Sequence, residues 1–212
     1  MIRVRKDSTA PHSLLTTSAY DGEDVKRQLL ADQEGKCYIC ERSNTTDFEI
    51  EHLKSRTNYP ELKQDWSNLL LSCGFCNRKK SQTFDDILNP IDENIEDEIA
   101  QRVDFKEKRA VFCPQIDTPS HNNTVNLLNI VFNGSHRVRT TKEERFFEYF
   151  ISAINRFQET VACYLLDRNQ ENENAVRYEL SINNEFLGFK YWIIRDNPSL
   201  FNTFSADIRW NK

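Results

Sequence analysis

Four cysteines in two Cys-x-x-Cys pairs have the clearest chemistry in this chain. The pairs are Cys37 with Cys40 and Cys73 with Cys76. Four thiolates on two tight turns make the closed tetrahedral site that is typical of structural zinc. A closed site has no open position for a substrate, so we expect this zinc to stabilise the fold rather than to react. Four free thiols, or two unrelated pairs, are the alternative.

A second group of polar residues could carry a reaction. Glu51 and Asn77 offer the hard oxygen ligands that suit Mg²⁺ or Mn²⁺, ions that keep several waters and bind substrate phosphate. His52 has a side chain with a pKa near neutrality, so it is the natural general base for activating water. Neighbours in a regular strand face opposite sides, so Glu51 and His52 share a site only if the strand ends or bends there. Glu49 is therefore a rival metal ligand.

The elements predicted around these residues are short. A helix over roughly 22–34, with Asp21 as its N-cap, leads into the first cysteine pair. Residues 48–53 alternate as a strand does, and residues 68–72 are its candidate partner. A second helix is predicted to begin at Cys76 and to continue through the lysines that follow.

The C-terminal third of the chain is predicted to be mainly helical, unlike the segments before it. Apolar residues recur at helical spacing over 147–165, which predicts a core-facing helix of roughly 25 residues. Thr141 and Glu144 form the pattern of a capping box at its start. Further helices are predicted over 175–182 and 186–194.

These elements suggest four segments: an N-terminal arm, residues 1–21; a zinc-stapled domain, 22–84; an acidic connector, 85–120; and a helical C-terminal subdomain, 121–212. We use "zinc-stapled" for a segment whose two cysteine pairs bind one zinc ion.

Cys113 and Cys163 have no cysteine near them in the sequence, and they are predicted to be buried thiols.

Charge is unevenly distributed along the 212 residues. The formal net charge is −5, which argues against a protein that binds nucleic acid over its whole surface. Residues 52–81 contain six basic and two acidic residues, a net of +4, whereas residues 85–107 contain nine acidic and two basic residues, a net of −7. A basic island in an acidic chain suits a local phosphate contact whose remaining attraction comes from another subunit. Two solvated surfaces of opposite sign are the alternative.

The sequence also predicts the cellular compartment of the protein. No stretch approaches the ~18 consecutive apolar residues of a membrane span, so no membrane partner is expected. The first residues lack the apolar core of a signal peptide, and six cysteines without a disulfide framework are typical of a reducing compartment. A cytoplasmic location is therefore predicted.

The order Glu51-His52, Asn68 and Asn77 resembles the His-Asn-Asn form of the HNH endonucleases. The two cysteine pairs around it resemble the four-cysteine zinc branch of that family. The resemblance implies a ββα-metal fold, a hairpin followed by a helix that opens near Asn77. The predicted fold class is therefore α+β: a ββα-metal HNH core stapled by a four-cysteine zinc site, with a mainly helical C-terminal subdomain.

The resemblance also implies a role for each residue. It makes His52 the general base for phosphodiester hydrolysis, and it assigns one Mg²⁺ or Mn²⁺ at the scissile phosphate to Glu51 and Asn77. It gives Asn68 a structural role, fixing the loop between the two strands. The basic residues at the start of the helix are implied to bind flanking phosphates: Arg78, Lys79 and Lys80.

The overall layout resembles the PtuB nuclease family of Septu antiphage systems and its retron-associated relatives. The arm, the zinc HNH segment, residues 87–94 (ILNPIDEN) and the helical C-terminus carry this resemblance. It implies a defence complex with a PtuA-like ATPase, and in retron-associated relatives a reverse transcriptase with its nucleic acid.

Two classes of function follow from these residues. The first is an enzyme that cuts nucleic acid, with DNA as the expected substrate and an RNA such as tRNA as the alternative. The second is a zinc-stapled adapter that binds nucleic acid or protein without cutting. An adapter needs the cysteines but not His52, Glu51, Asn68 and Asn77, so the sequence favours the enzyme.

Overall fold

The computed structural model describes residues 1–17, 19–43, 45–136 and 138–210. The helices are α1 (His12–Thr16), α2 (Glu23–Asp32), α3 (Gly74–Lys80), α4 (Ile95–Glu98), α5 (Pro119–Asn133), α6 (Thr141–Leu166), α7 (Gln170–Glu179), α8 (Leu187–Arg195) and α9 (Pro198–Phe204). The strands are β1 (Phe48–His52), β2 (Leu69–Cys73), β3 (Ile99–Asp104) and β4 (Arg109–Pro114). The mixed class predicted from the sequence is confirmed.

A ββα unit carries the polar residues singled out above. Strands β1 and β2 pair antiparallel, with Phe48 opposite Cys73 and His52 opposite Leu69. Helix α3 follows β2 without a loop, because Cys73 keeps an extended backbone and serves as the N-cap. The helix therefore begins at Gly74, two residues before the predicted start.

The ends of α2 and α6 correct two predicted caps. Gly22, not Asp21, is the N-cap of α2. Past the end of α2 the chain turns through left-handed backbone at Gly35 (φ +62°), as a glycine stop requires. The capping box of α6 is formed by Thr140 and Glu143, one residue earlier than predicted, and the helix runs for 26 residues.

One hydrophobic cluster joins parts of the chain that are distant in sequence. Met1, Cys37, Ile87 and Phe150 all belong to it, so residues from each of the four predicted segments share a core. Phe146, Phe147 and Phe150 of α6 face this core, whereas Phe157 and Tyr164 belong to a second hydrophobic cluster. Phe75 of α3 stacks on Phe146 of α6 with ring centroids 5.2 Å apart. The division into four segments remains a prediction.

The segment predicted as a connector is folded around a hairpin. Strands β3 and β4 pair antiparallel, and the Trp192 indole of α8 donates hydrogen bonds to the carbonyls of Glu96 and Ile99, at 2.9 and 3.1 Å. Cys113 on β4 and Cys163 on α6 are exposed, so the prediction of buried thiols was wrong. Both lie on the outer faces of their elements, which residue type alone does not determine.

Helices α7 and α8 differ from prediction mainly at their ends, whereas helix α9 was not predicted. Helix α7 starts at Gln170, five residues before the predicted start, because the Asn169 side chain caps it. Asn197 caps the following helix α9 in the same way. No helix in the described part of the chain is both long and apolar enough to cross a membrane.

Candidate active site

The four predicted zinc ligands come together. All four cysteines are buried, and their sulfur atoms lie within 4.8 Å of one another. The Cys40 and Cys73 Sγ atoms are 3.9 Å apart. A tetrahedral zinc with Zn–S bonds of about 2.3 Å separates its sulfurs by about 3.8 Å, so the cluster fits this ion.

Local backbone geometry presents the two cysteine pairs. In the first, the Glu41 N–H donates to the Cys37 carbonyl at 2.8 Å, and Glu41 adopts left-handed backbone (φ +61°) that closes the turn. In the second, Cys73 ends β2 and Cys76 lies in the first turn of α3. Burial disfavours the charge of the nearby Arg42 guanidinium, but the surrounding thiolates outweigh this effect and raise its pKa. Arg42 therefore offsets part of the negative charge of the cluster.

A surface pocket of about 380 Å³ is lined by three of the four predicted site residues. Glu51 and His52 line it from the end of β1, and Asn77 lines it from α3. The strand ends at His52, so the two neighbours reach one pocket despite their alternation. Ser55 and Arg56, in the loop after β1, also line this pocket.

His52 is held as a neutral base. Its Nε2 lies 2.9 Å from the Lys63 carbonyl oxygen. A carbonyl only accepts, so Nε2 carries the proton and Nδ1 of the neutral ring keeps its lone pair. Burial lowers the pKa of His52; the hydrogen bond to the Lys63 carbonyl opposes this, and the nearby cations Arg56, Lys80 and Lys63 add to the lowering. The imidazole is therefore neutral at neutral pH, and its Nδ1 is able to accept a proton.

Glu51 is paired with a buried lysine. Lys80 is fully buried, and its Nζ lies 2.9 Å from Glu51 Oε1 and donates to the His52 carbonyl at 3.0 Å. Burial raises the pKa of Glu51, and the Lys80 ammonium opposes that rise. The sequence-based expectation that Lys80 binds flanking phosphates differs from the structure, because its ammonium is enclosed beneath the pocket.

Asn77 and Glu49 form a pair at the edge of the same pocket. Asn77 Nδ2 donates to Glu49 Oε2 at 2.5 Å. Glu49 is exposed and holds the amide nitrogen, which leaves the Asn77 Oδ1 as the oxygen available to a cation. Glu51 is a lining residue of the pocket, and the choice between Glu51 and Glu49 as a metal ligand remains a prediction.

Asn68 lies outside the pocket and ties the loop between the strands. Its Oδ1 accepts from the Lys54 N–H at 2.7 Å, and its Nδ2 donates to the carbonyls of Lys54 and Leu62 at 3.0 and 3.1 Å. These contacts join the two ends of the loop, as the structural role inferred from the resemblance requires.

The exposed cations near the pocket are fewer than the sequence suggested. The Arg78 side chain is 60% exposed and is 3.9 Å from Asp47. The ammonium of Lys79 pairs with Glu143 of α6, so it is engaged within the fold. Arg56 is exposed at the pocket, and the sequence reasoning missed it because no motif marks it.

Asp85 was also missed, and it fixes the loop that carries Arg56. Its carboxylate accepts from the Ser55 N–H and hydroxyl, both at 2.7 Å, and from Asn58 Nδ2 at 2.6 Å. In sequence Asp85 is one acid in an acidic run, so only the fold distinguishes it from its neighbours.

The pocket itself offers few ligands for a metal ion. Within the described residues, the four cysteines form the only group of three or more His, Cys, Asp or Glu side chains placed to hold one ion. The carboxylate of Glu51 and the amide oxygen of Asn77 suit a hard cation bound mainly by water and substrate phosphate.

Comparison with known proteins agrees with this geometry. Residues 37–83 match the family model described as HNH endonuclease. Residues 37–83 form an HNH endonuclease domain. The matched segment contains both cysteine pairs together with Glu51, His52, Asn68 and Asn77.

The chain is also similar to the Septu protein PtuB of Bacillus thuringiensis. The two are 30% identical over 113 residues, which is 52% of this chain and 35% of that protein. The chain thus covers about a third of the length of this curated relative. The similarity extends beyond the HNH domain, which accounts for 47 residues.

Replacing Lys80 with methionine tests the buried pair beneath the HNH pocket. The substitution keeps the length of the side chain but leaves the Glu51 carboxylate without its ammonium, and breaking a buried pair in this way costs about 3–5 kcal/mol. We expect urea denaturation of zinc-loaded Lys80→Met to show a loss of free energy of unfolding of this size. Lys26→Met, at an exposed position of α2, is the control and should change it by less than about 0.5 kcal/mol. Equal stability of the two variants would contradict the pairing.

Proposed function

We propose that the chain is an endonuclease that hydrolyses phosphodiester bonds of nucleic acid, with DNA as the preferred substrate. The observation that carries the proposal is the shared pocket of Glu51, His52 and Asn77 inside the HNH domain. The neutral imidazole of His52 supplies a base. The carboxylate oxygen of Glu51 and the amide oxygen of Asn77 supply ligands for a cation.

The roles of the residues follow from their contacts. His52 Nδ1 accepts the proton of the attacking water, while the Lys63 carbonyl holds Nε2–H and fixes the ring. Glu51 and Asn77 would hold Mg²⁺ or Mn²⁺, which supplies positive charge to the phosphate oxygens. Arg56 at the pocket and Arg78 on the exposed side of α3 bind flanking phosphates of the strand.

A partner is part of the proposal. The chain has a net charge of −5, and the exposed cations near the pocket are few, so its own surface attracts a polyanion weakly. The similarity to Septu protein PtuB supports a role in a Septu system. As the resemblance of the layout to the PtuB family implies, we propose a defence complex with a PtuA-like ATPase, and in retron-associated forms with a reverse transcriptase; the proposed location is cytoplasmic, as the sequence predicts. The partner would supply the remaining attraction for nucleic acid.

A cleavage assay separates the enzyme from a non-cutting adapter. Zinc-loaded protein is incubated with plasmid DNA, single-stranded DNA and tRNA, with Mg²⁺, with Mn²⁺ or with neither. We expect cleavage of DNA that requires the added cation. Cleavage of tRNA alone would move the substrate class to RNA, and binding without cleavage of any substrate would favour the adapter.

The partner is tested in the native host. Tagged protein is recovered, the associated protein and nucleic acid are identified, and the recovered assembly is assayed on the same substrates. Co-purification of an ATPase, with higher activity than the isolated chain, is the expected result. Recovery of the chain alone, fully active, would contradict the PtuB-like assembly.

A further inference from the structure

A tyrosine from outside the HNH domain contacts the proposed general base. The Tyr20 ring meets the His52 ring edge to face, with centroids 4.6 Å apart and planes at 73°. Aromatic rings favour this arrangement at this distance. Tyr20 lies in the segment between α1 and α2, before the first residue matched by the HNH family model.

Two cations of the site converge on the same ring. The Arg56 guanidinium carbon lies 5.0 Å from the Tyr20 centroid, and Lys63 Nζ lies 5.9 Å from it. Both distances allow a cation–π attraction. Lys63 is also the residue whose carbonyl holds His52 Nε2, and Arg56 lines the pocket. One side chain thus touches the base and two residues that surround it.

The N-terminal arm that carries Tyr20, residues 1–21, is hydrogen-bonded to the loop between β1 and β2. Gln64 Nε2 donates to the Thr17 carbonyl at 2.6 Å, and the Trp66 indole donates to the Asp7 carbonyl at 2.7 Å. Tyr20 also packs against a small hydrophobic cluster that includes Leu14 and Val25. Because this packing restrains the Tyr20 ring, the ring can in turn restrain the imidazole that it contacts.

We propose that Tyr20 is a positioning residue of the active site, which holds the His52 ring and the Arg56 guanidinium in the orientation that cleavage requires. Among the described residues, the His52 ring makes one hydrogen bond, at Nε2. The edge-to-face contact with Tyr20 adds a second restraint on the ring and so on the direction of Nδ1. The N-terminal segment is thereby part of the site, although it contributes no group to the chemistry.

The kinetic test rests on the proposed function and compares Tyr20→Leu, Tyr20→Phe and Val176→Ala. Tyr20→Leu keeps apolar bulk and loses the ring, so kcat should fall about 10–100-fold, the cost of a misplaced catalytic group, while KM changes less. Tyr20→Phe keeps the ring and should recover most of the rate. Val176→Ala is the control: it weakens a different hydrophobic cluster, one that does not contain Tyr20, and it should lower the melting temperature with kcat retained.

A spectroscopic test is independent of activity. The chain has four histidines, and the signals of His52 are assigned by their absence from His52→Ala. In Tyr20→Leu the His52 ring protons should shift, because the ring current of Tyr20 is lost, while those of His12 stay in place. Unchanged His52 signals, or a Tyr20→Leu kcat equal to that of Val176→Ala, would overturn the proposal. A wild type that cuts no nucleic acid would contradict the proposed function, and the His52 signals would still decide the role of Tyr20.

Discussion

His52→Ala should abolish phosphodiester cleavage while the protein stays folded and zinc-loaded. The substitution removes the lone pair of Nδ1, and general-base catalysis by a positioned side chain contributes ~10²–10⁴-fold. His52 lies at the end of β1 and its ring is not a zinc ligand, so the four-cysteine cluster is untouched. Cleavage rates with Mg²⁺ or Mn²⁺, zinc content and circular dichroism are measured on the same preparation.

His12→Ala is the matched control for this prediction. His12 begins helix α1 and is exposed, so its loss removes an imidazole away from the pocket. Its cleavage rate should equal that of the wild type. Equal activity of His52→Ala and wild type would refute the assignment of the general base, and loss of zinc from His52→Ala would show that its effect is structural.

Cys40→Ser should lose the zinc and unfold the N-terminal half of the chain. Binding of structural zinc is worth ~10–16 kcal/mol in small peptides, which is comparable to the ~5–15 kcal/mol stability of a whole domain. The two cysteine pairs join the turn after α2 to the junction of β2 and α3, and the hydrogen bonds of a two-stranded sheet do not replace that link. Zinc content and thermal unfolding are the measurements.

Cys163→Ser is the control, because Cys163 is an exposed thiol on α6. It should bind one zinc per chain and melt at the temperature of the wild type. A Cys40→Ser protein that remains folded and zinc-loaded would contradict the structural role of the cluster.

The ββα unit could be predicted from the sequence because particular residue types at particular spacings mark it. Two cysteine pairs can reach one ion only if the chain between them folds back, and the alternation over 48–53 marks the strand that does so. His52 and Asn77 were found for the same reason, since their chemistry is specific to their residue types. The long amphipathic helix was evident from its period, and only its cap was misplaced, by one residue.

Other features depend on tertiary contacts that no local pattern encodes. Lys80 belongs to a basic run that reads as exposed, yet its position on α3 places the ammonium under Glu51, where a buried carboxylate compensates for its burial. Tyr20 lies 32 residues before His52, and nothing in the spacing relates the two. Cys113 and Cys163 show the same limit, because a lone cysteine carries no information about the face on which it lies.

The stacking of Phe75 on Phe146 determines how the HNH domain would behave if it were cut out of the chain. Phe75 lies between two zinc ligands on one side of the ββα unit, and α6 covers its ring. A fragment cut out at residues 37–83 would present this aromatic face to water and would lack Tyr20 as well. Such a fragment should self-associate through this exposed face. A functional transplant of the domain into another scaffold should therefore include α6 and the N-terminal segment. The zinc site alone therefore does not make the HNH domain independent, because the domain also relies on α6 and on the N-terminal segment.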